Sequence, residues 1–432
     1  MRSNIGVAGA GPRSAGVAKR AHAPRVGVVG PILLAVYVFS GSLKSNPLLI
    51  WVPGDLTVLL GVVLIVLMIA ELLRTAFISR AVWVPVCIAA TMLLGVGATR
   101  TQYGLEKQIS FFTITLLAMG AAILFLREDR QRRAFLGALA GIGLVVSALV
   151  VLMPQRTAEW SDVVTLAGTN TISTSQMIVA GATVFAMYAI VGRRSAFRRI
   201  VATLTAAAMF FVALSTGSRG PVVAIALSVA IALLLAPVFS RRRARSIIAL
   251  LLVGGVGAVI ALQQGGEGLA RVLGFLAGDQ DTSTLARTVL WSTAWEHITQ
   301  LPFGGGWGYF GTIQGLGFNT LNGGQTYPHS VPLEIALEAG WLTGLFFAVL
   351  AVASVARVIR RALDPASVMF LVLLIFTLTN AMLSGDINDN RLMWVLLVAA
   401  WLIPLKDEDA PGGRIDATRG VPELSKSEGR LR

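Results

Sequence analysis

Cysteine occurs once in this chain, at Cys87. An intrachain disulfide and a thiolate metal site are therefore both excluded. Histidine occurs three times, and no two histidines stand at a metal-binding spacing, which argues against zinc. Charged residues make up 13% of the sequence, against about 25% in a typical soluble protein. The chain has no repeat of 20–50 residues of the kind that marks a solenoid or propeller. Its glycine-rich run, Gly304-Gly-Gly-Trp-Gly, lacks the Lys-Ser/Thr pair and the preceding strand of a nucleotide-binding loop.

What the chain has instead is apolar length. Its 432 residues are 55% hydrophobic, in blocks of roughly 17 to 24, about what a helix needs to cross a ~30 Å hydrocarbon core. Twelve spans are expected, at about 27–43, 57–73, 81–98, 109–126, 134–153, 174–192, 200–216, 220–240, 246–262, 333–356, 367–385 and 391–405. The fold class is an all-α polytopic membrane helical bundle. Residues 1–26 and 406–432 read as disordered cytoplasmic tails flanking a transmembrane domain over 27–405. Gly137 and Gly141 form a GxxxG pair, a common helix-packing feature.

The net charge of +14 does not mark nucleic-acid binding, because the basic residues fall in short clusters between apolar blocks. Those clusters set the orientation. With alternating segments and the N-terminus inside, 28 of the 36 Lys and Arg residues fall on the cytoplasmic side, as the positive-inside rule requires. Both termini are then cytoplasmic. The minority on the outer side includes Arg219, Arg271, Arg287 and Arg391.

The one long outer loop, 263–332, holds most of the polar chemistry. Leu269 to Leu276 is apolar enough to lie on a membrane surface. Asp281-Thr-Ser-Thr offers caps for a helix over about 285–299, whose three- and four-residue spacing aligns Arg287, Trp291, Ala294 and Ile298 on one face. Arg219 sits in a tight turn with Gly217, Gly220 and Pro221. There it either grips phosphate, helped by backbone N–H groups and a helix N-terminus, or snorkels to lipid headgroups. Arg287 is a second phosphate clamp or a partner for Asp281 or Glu296; Arg271 is a weaker candidate of the same kind. His329, in Tyr-Pro-His-Ser, offers a general base, a phosphate ligand or a structural hydrogen bonder. Glu334 and Glu338, one helical turn apart, orient His329 or Arg287, or line a proton path. Asp386, Asp389 and Arg391 form a short polar turn and read as solvated caps.

Taken in order, Ser215-Thr-Gly-Ser-Arg-Gly-Pro, Arg287 with Trp291, Leu301-Pro-Phe-Gly-Gly-Gly-Trp-Gly-Tyr-Phe, and His329-Ser ahead of Leu333-Glu-Ile-Ala-Leu-Glu-Ala-Gly-Trp-Leu-Thr-Gly resemble the O-antigen ligase and O-antigen polymerase superfamily. The motif-bearing part runs over about 200–360. The family usually reads His-Asn where this chain has His329-Ser330, so the imidazole is kept and the amide partner is not. The resemblance implies a bacterial membrane glycosyltransferase at the outer face of the cytoplasmic membrane. Its donor would be a glycan on undecaprenyl diphosphate and its acceptor another glycan or lipid-glycan, with no metal, cofactor or nucleic acid and with other polysaccharide-assembly proteins as partners. Arg219 and Arg287 would hold the diphosphate, and His329 would activate the acceptor for an inverting attack. Ligase and polymerase stay open, as does a flippase or other polysaccharide transporter. Also open is a cell-wall glycosyltransferase of the shape, elongation, division and sporulation type, whose characteristic motifs are not evident here.

Overall fold

A backbone in hydrocarbon must satisfy its own hydrogen bonds, and an apolar block does so by becoming a helix. The computed structural model describes residues 27–75, 79–157, 160–191, 195–235, 274, 282–313, 326–360 and 365–403. In chain order its helices are α1 (Val29–Leu43), α2 (Leu56–Thr75), α3 (Trp83–Met92), α4 (Gln102–Ser110), α5 (Leu116–Phe125), α6 (Asp129–Leu152) and α7 (Thr171–Val191). They continue with α8 (Ala196–Ser215), α9 (Arg219–Leu235), α10 (Thr282–Ile298), α11 (Val331–Ala339), α12 (Trp341–Ile359), α13 (Pro365–Leu383) and α14 (Arg391–Leu402). Short 3₁₀ turns extend α3 at both ends, and a π-helical turn over Phe111–Thr115 joins α4 to α5. Among the described residues, eight helical stretches are long and apolar enough to cross a membrane, and α1 and α14 are shorter apolar helices. The expected span at 246–262, both tails and the segment from Leu269 to Leu276 lie outside the described residues.

One expectation needs correction. The stretch expected as one span over 333–356 is broken into α11 and α12 at Gly340, whose φ is +93°. A β-carbon there would lie 2.2 Å from the Pro302 carbonyl oxygen, so only glycine admits the break. Between α6 and α7 the sequence alone marks no element. That connection carries an antiparallel hairpin of β1 (Gln155–Thr157) and β2 (Trp160–Thr165), with Gln155 opposite Thr165 and Arg156 opposite Val164. The hairpin is too short and too polar to stand out by period.

Burial sorts the helices into centre and rim. The apolar window of α7 is 78% buried and that of α13 is 72%, whereas that of α2 is 22% buried and presents Val58, Val62, Val66 and Ile69 outward. α7 packs on α6 and α8, and α13 packs on α9, α7, α12 and α14. Lipid offers no hydrophobic drive between helices, so close approach relies on small residues. The close pair here is Gly143 with Gly181, where a β-carbon on Gly143 would stand 2.8 Å from the Gly181 Cα. Gly137 and Gly141, the GxxxG pair of the sequence, face open space.

Candidate active site

His329 is the only non-glycine residue with positive φ among the described residues, at +53°. A left-handed backbone costs a side-chain-bearing residue about 1–3 kcal/mol and persists only where its surroundings enforce it. Three contacts do so. Trp291 Nε1 on α10 donates to the Pro328 carbonyl at 2.9 Å. The Tyr327 ring lies 4.3 Å from the imidazole. The Ser330 carbonyl accepts the Glu334 N–H at 2.9 Å, closing the first turn of α11. The imidazole Nδ1 is buried with no hydrogen-bond partner among the described residues. Burial first, then the positive charge of Arg287, push its pKa down to about 4, with Asp386 pulling weakly the other way. The ring is therefore neutral at pH 7. A ¹³C titration by NMR is expected to place His329 near pH 4 and to move it upward in Arg287→Ala; titration at the ordinary histidine value in the wild-type protein would contradict the placement.

The expected loop helix is α10, with Ala294 and Ile298 buried and Arg287 and Trp291 half-buried along the same face. Leu290, Ala294 and Ile298 pack with Phe310, Ala336 and Leu337, which fixes α10 against α11. His297, on the same helix, has Nδ1 2.9 Å from the Thr293 carbonyl of its own preceding turn. Arg219 is the first residue of α9, after a turn in which Gly217 has φ of +63°. The following Gly220 abuts Asn380, Leu383 and Ser384 at the end of α13. The positive end of the α9 dipole is thereby set beside the turn that carries Asp386. Arg271 lies outside the described residues.

Glu334 and Glu338 meet a residue that the sequence reading did not single out. Lys107 on α4 forms ion pairs with both carboxylates, and all three side chains are no more than 2% exposed. Glu334 Oε2 also accepts the Ile387 N–H at 2.9 Å, and Glu338 Oε1 accepts the Gly308 N–H at 3.0 Å. Asn388 donates to the Lys107 carbonyl at 2.9 Å and accepts from Thr115 at 3.0 Å. The cluster thus ties α4, α11, the glycine-rich run and the α13–α14 turn into one block beneath His329. The signal for Lys107 was a basic residue at the entrance of an apolar span, on the side where basic residues are few.

The glycine-rich run forms the backbone clasp of this block. Gly305 and Gly306 donate to the carbonyls of Leu337 and Glu338 at 2.7 and 3.1 Å. A β-carbon on Gly304 would come within 2.3 Å of the Glu338 carbonyl oxygen. Trp307, between these glycines, is 1% exposed and packs against Phe111 and Phe112.

Beside the block lies a cavity of about 450 Å³. Its walls come from the end of α1, the α1–α2 connection with the first turn of α2, α4 with the π-helical turn after it, the β2–α7 connection with the first turn of α7, and the α13–α14 turn. Asp386 accepts the Asp389 N–H at 2.7 Å, so it does cap its turn, yet Asp386, Asp389 and Arg391 also line this cavity. The neighbouring Asp386 charge, and then burial, push the Asp389 carboxyl up to about 7. Asp386 is common to the His329 surroundings and to the cavity. Among the described residues no group of three His, Cys, Asp or Glu side chains is placed to hold a metal ion.

Residues 204–348 match the family described as O-antigen ligase. No curated protein and no solved structure matches the chain. The matched stretch includes α9, α10, the glycine-rich run and α11, whereas the Lys107 helix and every residue of the cavity wall named above lie outside it.

Proposed function

We propose that this chain, whose residues 204–348 match the O-antigen ligase family, is a membrane glycosyltransferase that moves a glycan from undecaprenyl diphosphate to an acceptor hydroxyl at the outer face of the cytoplasmic membrane. One observation supports this reading above the others. A strained, half-buried imidazole with a free Nδ1 stands within electrostatic reach of Arg287, on an end of the bundle that also holds the N-terminus of α9.

The chemistry follows from those groups. The acceptor hydroxyl gives its proton to the His329 imidazole, and its oxygen attacks the anomeric carbon. The new glycosidic bond forms as the bond from that carbon to the diphosphate oxygen breaks, with inversion. The diphosphate departs as an anion, and the guanidiniums of Arg219 and Arg287 stabilise the charge that develops on it. An imidazole whose pKa is about 4 is a weak base. A bound diphosphate opposes the Arg287 charge and favours the imidazolium, which raises that basicity when the donor is in place. The base is thereby turned on by the substrate that needs it.

The competing transporter reading places ionisable groups along many spans. Among the described residues the deeply buried ionic cluster that stands out is that of Lys107, Glu334 and Glu338, and its members bond to one another. The test is reconstitution in liposomes with undecaprenyl-diphosphate-linked repeat units and candidate acceptors, in EDTA, following both product and leaflet. New glycosidic product is expected. Lipid that changes leaflet without any new product would overturn the transferase in favour of the transporter.

A further inference from the structure

We infer that the 450 Å³ cavity is a saccharide subsite that holds the uncharged sugar of the acceptor, apart from the arginines that take the diphosphate. This rests on the transferase reading and adds to it which end of which substrate the cavity receives.

The argument starts from the charge of the walls. Of the cations there, Lys107 is spent on Glu334 and Glu338, and Lys44 is paired with Asp55 at 3.3 Å. That leaves Arg391 facing Glu106, Asp386 and Asp389. The Glu106 and Asp386 carboxylates, with Asp389 partly ionised near neutral pH, outweigh one guanidinium, disfavour a phosphate or a sugar acid and accept hydrogen bonds from hydroxyls. Beside the apolar Val58 and Ile114, the remaining wall has uncharged polar groups: Thr57, Ser110, Thr169, Asn170 and Ser173 supply hydroxyl and amide groups that both donate and accept. Such a set matches a sugar, whose every hydroxyl is both donor and acceptor. Tyr103 adds an aromatic ring to the lining, and a pyranose presents a face of C–H bonds that packs on such a ring. The volume falls within the ~300–1,000 Å³ of small-molecule sites, which combine a shaped cavity with a few placed polar groups.

Position supports the same assignment. Asp386 lines the cavity and is close enough to act on the His329 charge. Tyr327, whose ring is tilted by 47° against that of His329, feels Asp386, Asp389 and Tyr103. Asp386 is therefore the residue through which the cavity and the His329 surroundings meet. The cavity is also rigid where it needs to be. Gly168, with φ of +75°, brings its turn so close that a β-carbon would stand 2.0 Å from the Ser45 carbonyl oxygen, and Asn46 donates to the Ala167 carbonyl at 2.9 Å. The short hairpin between α6 and α7 thereby acquires a purpose: it delivers Thr169, Asn170 and Ser173 to the cavity.

The test uses the full chain in nanodiscs and a free oligosaccharide, the host's repeat unit released from its lipid and dephosphorylated. Saturation-transfer NMR is expected to show binding to the wild-type protein. Asp389→Asn and Tyr103→Leu are each expected to weaken it at least ~10-fold, the scale of losing a charge-assisted hydrogen bond or a packed face. Inorganic diphosphate should not displace the sugar. The conservative Asp389→Asn guards against a Tyr103 variant that fails to fold. Absence of binding, unchanged affinity in both variants, or displacement by diphosphate would overturn the subsite. Binding needs no turnover, so the two readings fail separately. A protein that binds the sugar through Tyr103 and Asp389 yet transfers nothing contradicts the transferase. Transfer that survives both substitutions with an unchanged acceptor KM contradicts the subsite alone.

Discussion

Lys107→Met is expected to destabilise the protein by about 3–5 kcal/mol, the cost of leaving a buried charge without its partner. Glu334 and Glu338 are each 1% exposed and share Lys107 as their cation. Without it, two carboxylates would stand side by side in a low-dielectric interior, and their remaining partners, the Ile387 and Gly308 N–H groups, carry no net charge. The damage would spread, because the same carboxylates hold α11 to the glycine-rich run and to the α13–α14 turn. Thermal unfolding in detergent would show an earlier transition, with transfer activity falling alongside it. A Lys107→Met protein as stable as the wild type would mean that the cluster does not bind the block together.

Arg219→Ala and Arg287→Ala are each expected to lower transfer by about 10²–10³-fold, the range found when one preorganised donor to a developing anion is removed. Arg287 has a second readout. Arg287 is one of the causes that depress the His329 pKa, so its loss also shifts the imidazole titration upward. For Arg219, which opens α9, the readout is the rate of transfer. Kinetics on a fixed donor, with the NMR titration of the Arg287 variant, separate these effects. Full activity in either variant at normal expression would remove that arginine from the site.

Much of the architecture was legible because its cause is local and repetitive. Apolar length marks a span, and eight stretches over the described residues are long and apolar enough to be one. The α10 helix was legible from its spacing, which put Ala294 and Ile298 on the buried face. The break at Gly340 was not, because its cause is the Pro302 carbonyl, 38 positions away in sequence and against the glycine in space. Lys107 escaped for a similar reason. The charge was visible, but its partners Glu334 and Glu338 are more than two hundred residues away. Glu334 and Glu338 themselves were legible as costly acids near a membrane; what they bond to was not. The cavity is the extreme case. Its wall gathers five separated segments, none of which carries a motif, and only their polar, mixed-charge composition hints at a ligand.

The central claim is that His329 takes the acceptor proton, and single-turnover glycan transfer in proteoliposomes, wild type against His329→Ala, tests it most directly. General-base catalysis contributes about 10²–10⁴-fold, so the variant is expected to lose at least 10²-fold in rate while still binding the lipid-linked donor. A variant that folds, binds donor and transfers at the wild-type rate would contradict the account.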